Sequence, residues 1–144
     1  MEDPYFGAMS WGGFTAKDEF LGRVSDDWVS AAEVLDIARR MGVDGVENRR
    51  EFAIGLIARL LVEGLIEAGA IGEKGFERWD LSPGSVIELI ITEWVALSDS
   101  IVMPGMVAWF SGTVEGYAEG EEVLARLQEK RHRVRPLRDE GTTS

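Results

Sequence analysis

Few residues in this chain are suited to covalent chemistry. The single histidine, His132, lies in the run Lys130-Arg-His-Arg-Val-Arg135. The surrounding cations favour the neutral imidazole, but the run supplies no carboxylate to orient the ring. The chain has no cysteine, which excludes a thiol nucleophile, a disulfide framework and metal sites built on sulfur. We therefore expect no catalysis based on histidine or cysteine.

Two pairs of adjacent carboxylates were considered as acid–base couples. Glu121 and Glu122 are neighbours in a predicted helix, where consecutive side chains do not face one another. Asp26 and Asp27 precede a predicted helix, where the amide dipoles favour negative charge. The sequence contains neither an Asp-rich calcium loop nor a glycine-rich phosphate loop. We therefore predict a protein that is not an enzyme and uses no cofactor or metal.

The charge of the chain is unevenly distributed. The 144 residues carry a net charge of −11, but residues 1–125 hold 9 basic and 23 acidic side chains, a net charge of −14. Residues 126–144 carry +3. An acidic body repels the phosphates of DNA and attracts basic proteins, so a nucleic-acid partner is not expected. Solubility alone is the other interpretation of this charge.

Length and hydropathy predict one soluble domain. With 144 residues, of which 45% are hydrophobic, the chain can bury a single core. The longest near-apolar run, Phe52 to Val62, has 11 residues and contains Arg59, whereas a membrane span needs about 20. The acidic start Met1-Glu-Asp-Pro4 is followed by no apolar signal region. We therefore expect a cytoplasmic protein without membrane contact.

The predicted organisation has three parts. Residues 1–27 form an N-terminal arm of irregular backbone, because aromatic residues alternate there with glycines. This arm either packs on its own core, docks on a partner or exchanges between two copies. Residues 28–132 form an α+β domain, and residues 133–144 form a polar tail that frays.

Start and stop signals place about four helices and three short strands in this domain. Ser30 and Glu33 form a capping box before a helix that ends at Gly42, and a second helix begins at Asn48-Arg-Arg-Glu51 and ends at Gly64. Residues 65–68 and 76–81 are predicted strands of a hairpin. A third helix starts at Ser82-Pro83, residues 106–110 form a buried strand, and a fourth helix covers residues 114–132.

The order helix, tight turn, helix, hairpin and helix over about residues 29–97 resembles the winged helix-turn-helix superfamily. The step Gly64-Leu65-Ile66 out of the second helix and the exit Leu81-Ser-Pro-Gly84 from the hairpin carry the resemblance. It implies a winged-helix-like fold in which the second helix enters the major groove of DNA. An additional strand and helix follow this region.

The second helix lacks the polar outer face that such a reading helix needs. From Phe52 to Val62 it is apolar nearly all round, so we expect it to be buried in the core or against a partner. The small residues Gly55, Ala58 and Val62 would let another backbone approach this helix closely. The predicted partner-binding residues are Trp11, Phe14, Gly55, Ala58, Arg59 and Val62. Contact with DNA would instead use Arg49, Arg50, Lys74 and Arg78.

Three functions follow from these observations. The first is an acidic protein-interaction module, such as an immunity or antitoxin-type protein, that sequesters a basic partner or forms a homodimer. The second is a winged-helix transcription regulator that binds DNA. The third, an enzyme or small-ligand binder with an apolar pocket lined by Trp79, Trp94 and Trp109, is not excluded.

Overall fold

The structure is a computed structural model that describes residues 10–11, 14–97 and 102–143, with side chains over 14–97 and 102–130. Within these residues the chain is α+β, as predicted, with five helices and six strands. The elements in chain order are β1 (Ser10–Trp11), β2 (Phe14–Thr15), α1 (Ala16–Asp26), β3 (Val29–Ser30), α2 (Ala31–Arg40), α3 (Val46–Val62), β4 (Ile66–Gly72), β5 (Gly75–Arg78), α4 (Pro83–Leu97), β6 (Trp109–Gly112) and α5 (Val114–Thr143).

The first helix corrects the expectation of irregular backbone over residues 1–27. Residues 16–26 form α1, which begins with a capping box: the Asp18 amide donates to the Thr15 hydroxyl, and the Thr15 amide donates to the Asp18 carboxylate. Ala16, Phe20 and Val24 are fully buried in the same core as the rest of the chain. This segment therefore packs on its own core, the first of the three alternatives for the arm.

The helix–turn–helix is present, and its first helix is capped as expected. The Glu33 amide donates to the Ser30 hydroxyl over 3.3 Å at the start of α2. The prediction that Asn48 caps the start of α3 is wrong by three residues, because Gly45 is the N-cap and the Asn48 side chain donates to the Asp44 carbonyl instead. Gly42 and Gly45 both have positive φ angles, 86° and 92°, which produce the tight turn.

Four of the strands form an antiparallel sheet in the order β3-β6-β4-β5, and β1 pairs separately with β2. The predicted hairpin is confirmed as β4 and β5. Fewer residues than expected connect the two strands, because the ladder continues to Gly72 and Gly75. The late strand lies at residues 109–112 rather than 106–110. Val107 has a φ of 70°, and the Ala108 amide donates back to the Met106 carbonyl, so the chain turns before the strand begins.

Helix α4 packs against α3 through one narrow side. Ser82 caps the helix by accepting from the Ser85 amide, as its position before Pro83 predicts. Val86, Ile90 and Trp94 are buried, whereas the neighbouring Ile91 is 40% exposed. Helix α4 covers one side of α3, and the side of α4 that faces away from α3 is exposed to solvent.

Helix α5 packs closely along α1. A Cβ atom at Gly120 would overlap the Leu21 carbonyl oxygen and lie 2.8 Å from the Ser25 Cβ atom, and one at Gly116 would overlap the Leu65 carbonyl oxygen. Gly116 and Gly120 therefore allow close contact between backbones. The helix continues to Thr143, so the residues predicted to fray are helical, and no helix in the described parts of the chain is long and apolar enough to cross a membrane.

Candidate interaction surface

Four of the six predicted partner-binding residues lie on the outer side of α3. Gly55, Arg59 and Val62 are exposed, with Val62 at 70% exposure, and Ala58 is half-buried. The opposite side of the helix is buried in the core, namely Phe52, Ala53, Leu56, Ile57, Leu60 and Leu61. Of the two alternatives for this helix, burial nearly all round in the core of the chain is therefore wrong, because Gly55 and Val62 are exposed. Burial of its outer side against a partner stays a prediction.

This outer side of α3 carries more negative than positive charge. Glu47 and Glu51 are exposed along it, and Arg59 donates to Glu63 over 3.1 Å, which places a carboxylate beside the cation. Lys17 from α1 also donates to Glu63 over 3.1 Å. Burial alone would raise the pKa of Glu63, but the hydrogen bonds from Lys17 and Arg59 hold it below its ordinary value.

The four cations of the DNA alternative are divided between α3 and the β4–β5 hairpin. Arg49 donates to the Val43 carbonyl over 2.7 Å, so its guanidinium fixes the turn between α2 and α3. Arg50 is half-buried on the same helix. Lys74 and Arg78 are exposed on the hairpin, where Glu73 and Glu77 are exposed beside them, and Arg78 lies 3.8 Å from Asp80.

The first residues of the chain were predicted to contact a partner through Trp11 and Phe14. Trp11 pairs with Phe14 in the β1–β2 ladder, but its side chain lies outside the described residues. Phe14 is only 7% exposed, because it packs beneath the cationic groups of Arg126 and Lys130 at 5.3 and 5.8 Å from the ring centroid. The aromatic ring therefore binds cations of its own chain.

A groove of about 290 Å³ runs between α1 and α5. Gly22 belongs to its lining, and a Cβ atom there would lie 3.3 Å from the Val123 Cγ1 atom and 3.7 Å from the Leu124 Cδ2 atom, so α5 packs directly on α1 at this residue. The apolar wall is completed by Phe14 and Leu127, and the polar residues of the lining are Asp18, Glu19, Arg23 and Asp26. We call this feature the α1–α5 groove. It combines an apolar floor with three carboxylates and one arginine.

The polar residues of the groove belong to a wider network of ion pairs. Arg23 donates to Glu19 and to Asp36 of α2, each over 3.1 Å. Asp36 also accepts from Arg39 over 2.6 Å and from Arg40 over 3.0 Å. Burial would raise the pKa of Asp36, yet the hydrogen bonds from Arg39 and Arg23 keep it below its ordinary value. The single arginine of the groove is therefore neutralised by carboxylates.

The end of α1 concentrates negative charge. Asp26 is the last residue of α1 and Asp27 its C-cap, so both lie at the negative end of that helix dipole as well as before α2. The favourable position expected for them before a helix start is therefore offset by their unfavourable position at the end of α1. Burial raises the pKa of nearby Glu33, and the charges of Asp27 and Asp36 add to this effect although Arg23 opposes it.

The other residues considered for chemistry do not assemble into a reaction centre. The side chain of His132 lies outside the described residues. Among the residues that the structure describes, no three or more His, Asp or Glu side chains are grouped as metal ligands. Trp94 is buried in the core, and Trp79 and Trp109 are half-buried. The α1–α5 groove is lined by other residues than these three tryptophans.

The α1–α5 groove could not be predicted while residues 16–26 were expected to be irregular. A signal for close packing of α5 was present in Gly116 and Gly120, which lie four residues apart in the predicted helix and so share one side of it. Comparison with known proteins adds no assignment: no family model matches the chain, and neither do any curated protein or solved structure.

Proposed function

We propose that this chain is a non-enzymatic interaction module that binds and sequesters a basic protein, in the manner of an immunity or antitoxin-type protein. The observation that carries the proposal is the α1–α5 groove, in which an apolar floor is bordered by carboxylates. Complementary charge favours encounter with a cationic surface, and burial of apolar area stabilises the complex that forms.

The ion pairs of this chain support the same proposal. Lys17, Arg23 and Arg59 each lie within hydrogen-bond distance of a carboxylate of the chain itself. Their charges are therefore offset locally, and the excess carboxylates dominate the field around residues 1–125. A net charge of −14 over this part of the chain would accelerate association with a cationic protein at low ionic strength.

Association kinetics test the proposal. A tagged chain would be used at about 50 mM salt to isolate a bound protein, whose sequence is then determined and whose purified form is used in stopped-flow experiments. We expect a partner of net positive charge and an association rate that falls at least about tenfold by about 500 mM salt, with little change in dissociation. Association independent of salt, or binding to no cationic protein, would contradict the proposal.

The order of the elements from α2 to β5 favours a second candidate, a winged-helix protein that binds DNA. It would use Arg50, Lys74 and Arg78, since Arg49 is engaged with the backbone of the turn. A gel shift with random duplex DNA at about 50 mM salt tests this alternative, because non-specific affinities of DNA-binding proteins reach about 10⁻⁴–10⁻⁶ M even at physiological salt. Absence of retardation at high micromolar protein would refute it.

A further inference from the structure

We propose that α5 binds α5 of a second copy of this chain in antiparallel orientation, so that the acidic first half of each helix contacts the basic second half of the other. The dimer that forms has two-fold symmetry. The proposal goes beyond the proposed function and does not depend on it. It rests on the spacing of exposed residues along α5, on their charge and on the side of the helix that α1 leaves uncovered.

One side of α5 carries residues at the spacing of a coiled coil. Positions 114, 117, 121, 124, 128, 131 and 135 are separated alternately by three and four residues, which keeps them on one side of a helix in a two-helix coiled coil. Val114 is 82% exposed, Tyr117 and Leu124 are each 37% exposed, and Glu121 and Gln128 are also exposed. We call these seven positions the α5 stripe.

Helix α5 packs on the body of its own chain through a different side. This side contains Gly116 and Gly120, where a Cβ atom would overlap a backbone carbonyl oxygen, and the buried Val123. With 3.6 residues per turn, it is centred about 100° around the helix axis from the α5 stripe. A second helix can therefore lie along the stripe without displacing α1.

The charge of α5 changes sign along its length. Residues 114–122 contain four glutamates and no cation, whereas residues 130–135 contain four Lys or Arg side chains and no carboxylate. On the α5 stripe these regions supply Glu121 and Arg131, which lie about 15 Å apart along the axis and so do not meet within one helix. An antiparallel second copy brings the acidic region of one helix to the basic region of the other.

A two-fold axis at position 126 matches the α5 stripe to itself. Position 121 then lies opposite position 131 of the second copy, which pairs Glu121 with Arg131, and position 117 lies opposite position 135, which pairs Tyr117 with Arg135. Each pair occurs twice by symmetry. The matching ends at Arg135, because Pro136 has no amide hydrogen and interrupts the hydrogen bonds of the helix.

The charges on the α5 stripe also select the orientation. A parallel pair of helices would place Glu121 opposite Glu121 and Arg131 opposite Arg131, and such like charges repel. Polar residues at core positions of a coiled coil specify register and orientation at a cost in stability. The antiparallel dimer is therefore weaker than an apolar coiled coil of the same length, and its orientation is well defined.

Sedimentation equilibrium of the full chain from about 1 to 500 µM measures the association. We expect a species of twice the 15.9 kDa chain mass to form as the concentration rises. Spin labels report the orientation, because Ala118→Cys introduces a single thiol into a chain without cysteine. The labelled positions should be about 25 Å apart in the antiparallel dimer, whereas a parallel dimer would place them about 10 Å apart.

Charge reversals test the register. Glu121→Arg and Arg131→Glu should each weaken the dimer by at least about tenfold, because each turns two symmetric attractions into repulsions. The two variants change the net charge in opposite directions, so a general charge effect does not weaken both. Mixed in equal amounts, they should form a heterodimer about as stable as the parent dimer, since both charge pairs are then restored.

Glu122→Arg is the matched control for Glu121→Arg. Glu122 is exposed, lies off the α5 stripe and undergoes the same change of charge. We expect it to change the dissociation constant of the dimer by less than about threefold. Circular dichroism and urea unfolding establish that each variant is folded. If a single variant unfolds, the double variant Glu121→Arg/Arg131→Glu carries the test, because it restores the pair within one kind of chain.

Three results would overturn the proposal. A chain that stays monomeric over the whole concentration range forms no such dimer. Equal weakening by Glu121→Arg and Glu122→Arg would place the interface on another surface. A mixture of the two reversed variants that associates no better than either variant alone would rule out contact between positions 121 and 131. None of these results bears on the binding of a basic protein, which the association kinetics described above test separately.

Discussion

The closeness of α1 and α5 at Gly120 gives a quantitative test of the structure. In Gly120→Ala, the new Cβ atom would overlap the Leu21 carbonyl oxygen and lie 2.8 Å from the Ser25 Cβ atom. Carbon atoms in contact are about 3.5–4.0 Å apart, so the two helices must separate by about 1 Å. Such overpacking against backbone costs about 3 kcal/mol, and the better helix propensity of alanine returns about 1 kcal/mol.

The expected net effect of Gly120→Ala is a loss of about 2 kcal/mol in the free energy of unfolding, from the two terms above. For a urea dependence of about 2 kcal/mol per M, the unfolding midpoint falls by about 1 M. Tryptophan fluorescence reports the transition, because Trp94 is buried in the native state.

Gly84→Ala is the matched control for Gly120→Ala. Gly84 lies in the first turn of α4, and a Cβ atom there meets nothing within 4 Å. This variant should be as stable as the parent chain or more stable by up to about 1 kcal/mol. If Gly120→Ala also gains stability, the close packing of α1 and α5 is refuted, and the glycine is only a poor helix former at that position.

Three further predictions concern hydrogen bonds and protonation. Arg49→Met removes the donor to the Val43 carbonyl and should cost about 1 kcal/mol in urea unfolding, whereas Arg78→Met should cost less than about 0.5 kcal/mol; equal losses would contradict a role of Arg49 in the turn. Thr113→Val removes the hydroxyl that caps α5 at the Gly116 amide and donates to the Gly64 carbonyl over 2.7 Å, with an expected loss of about 1–2 kcal/mol by the same measurement. The pKa of Asp36 is lowered in the folded chain, so its stabilising contribution is present above its unfolded pKa of about 3.9 and is lost as the pH falls through the lower folded value. Urea midpoints measured against pH should therefore decline less steeply in this range for Asp36→Asn than for the parent chain. Identical slopes for the two proteins would refute the role of the network.

Local hydrogen bonds explain why several elements could be predicted from the sequence. The caps at Ser30 and Ser82 join groups three residues apart, so the residues that begin α2 and α4 carry their own signal. The hairpin of β4 and β5 likewise joins neighbouring segments through a two-residue tip. The local signal at Asn48 was misleading, because two nearby groups could bind its side chain. It donates to the Asp44 carbonyl and does not cap α3.

The sequence by itself determined the charge of this protein, its lack of cysteine chemistry, its α+β class and the order of elements from α2 to α4. Only the tertiary structure decided that residues 16–26 form a core helix and that a groove lies between α1 and α5. The contacts responsible join distant parts of the chain, such as Asp18 with Arg126, 108 residues apart. A glycine-rich segment has the same local backbone preferences whether or not a second helix packs on it. Local patterns therefore do not specify whether a glycine interrupts an element or allows a neighbouring helix to pack closely.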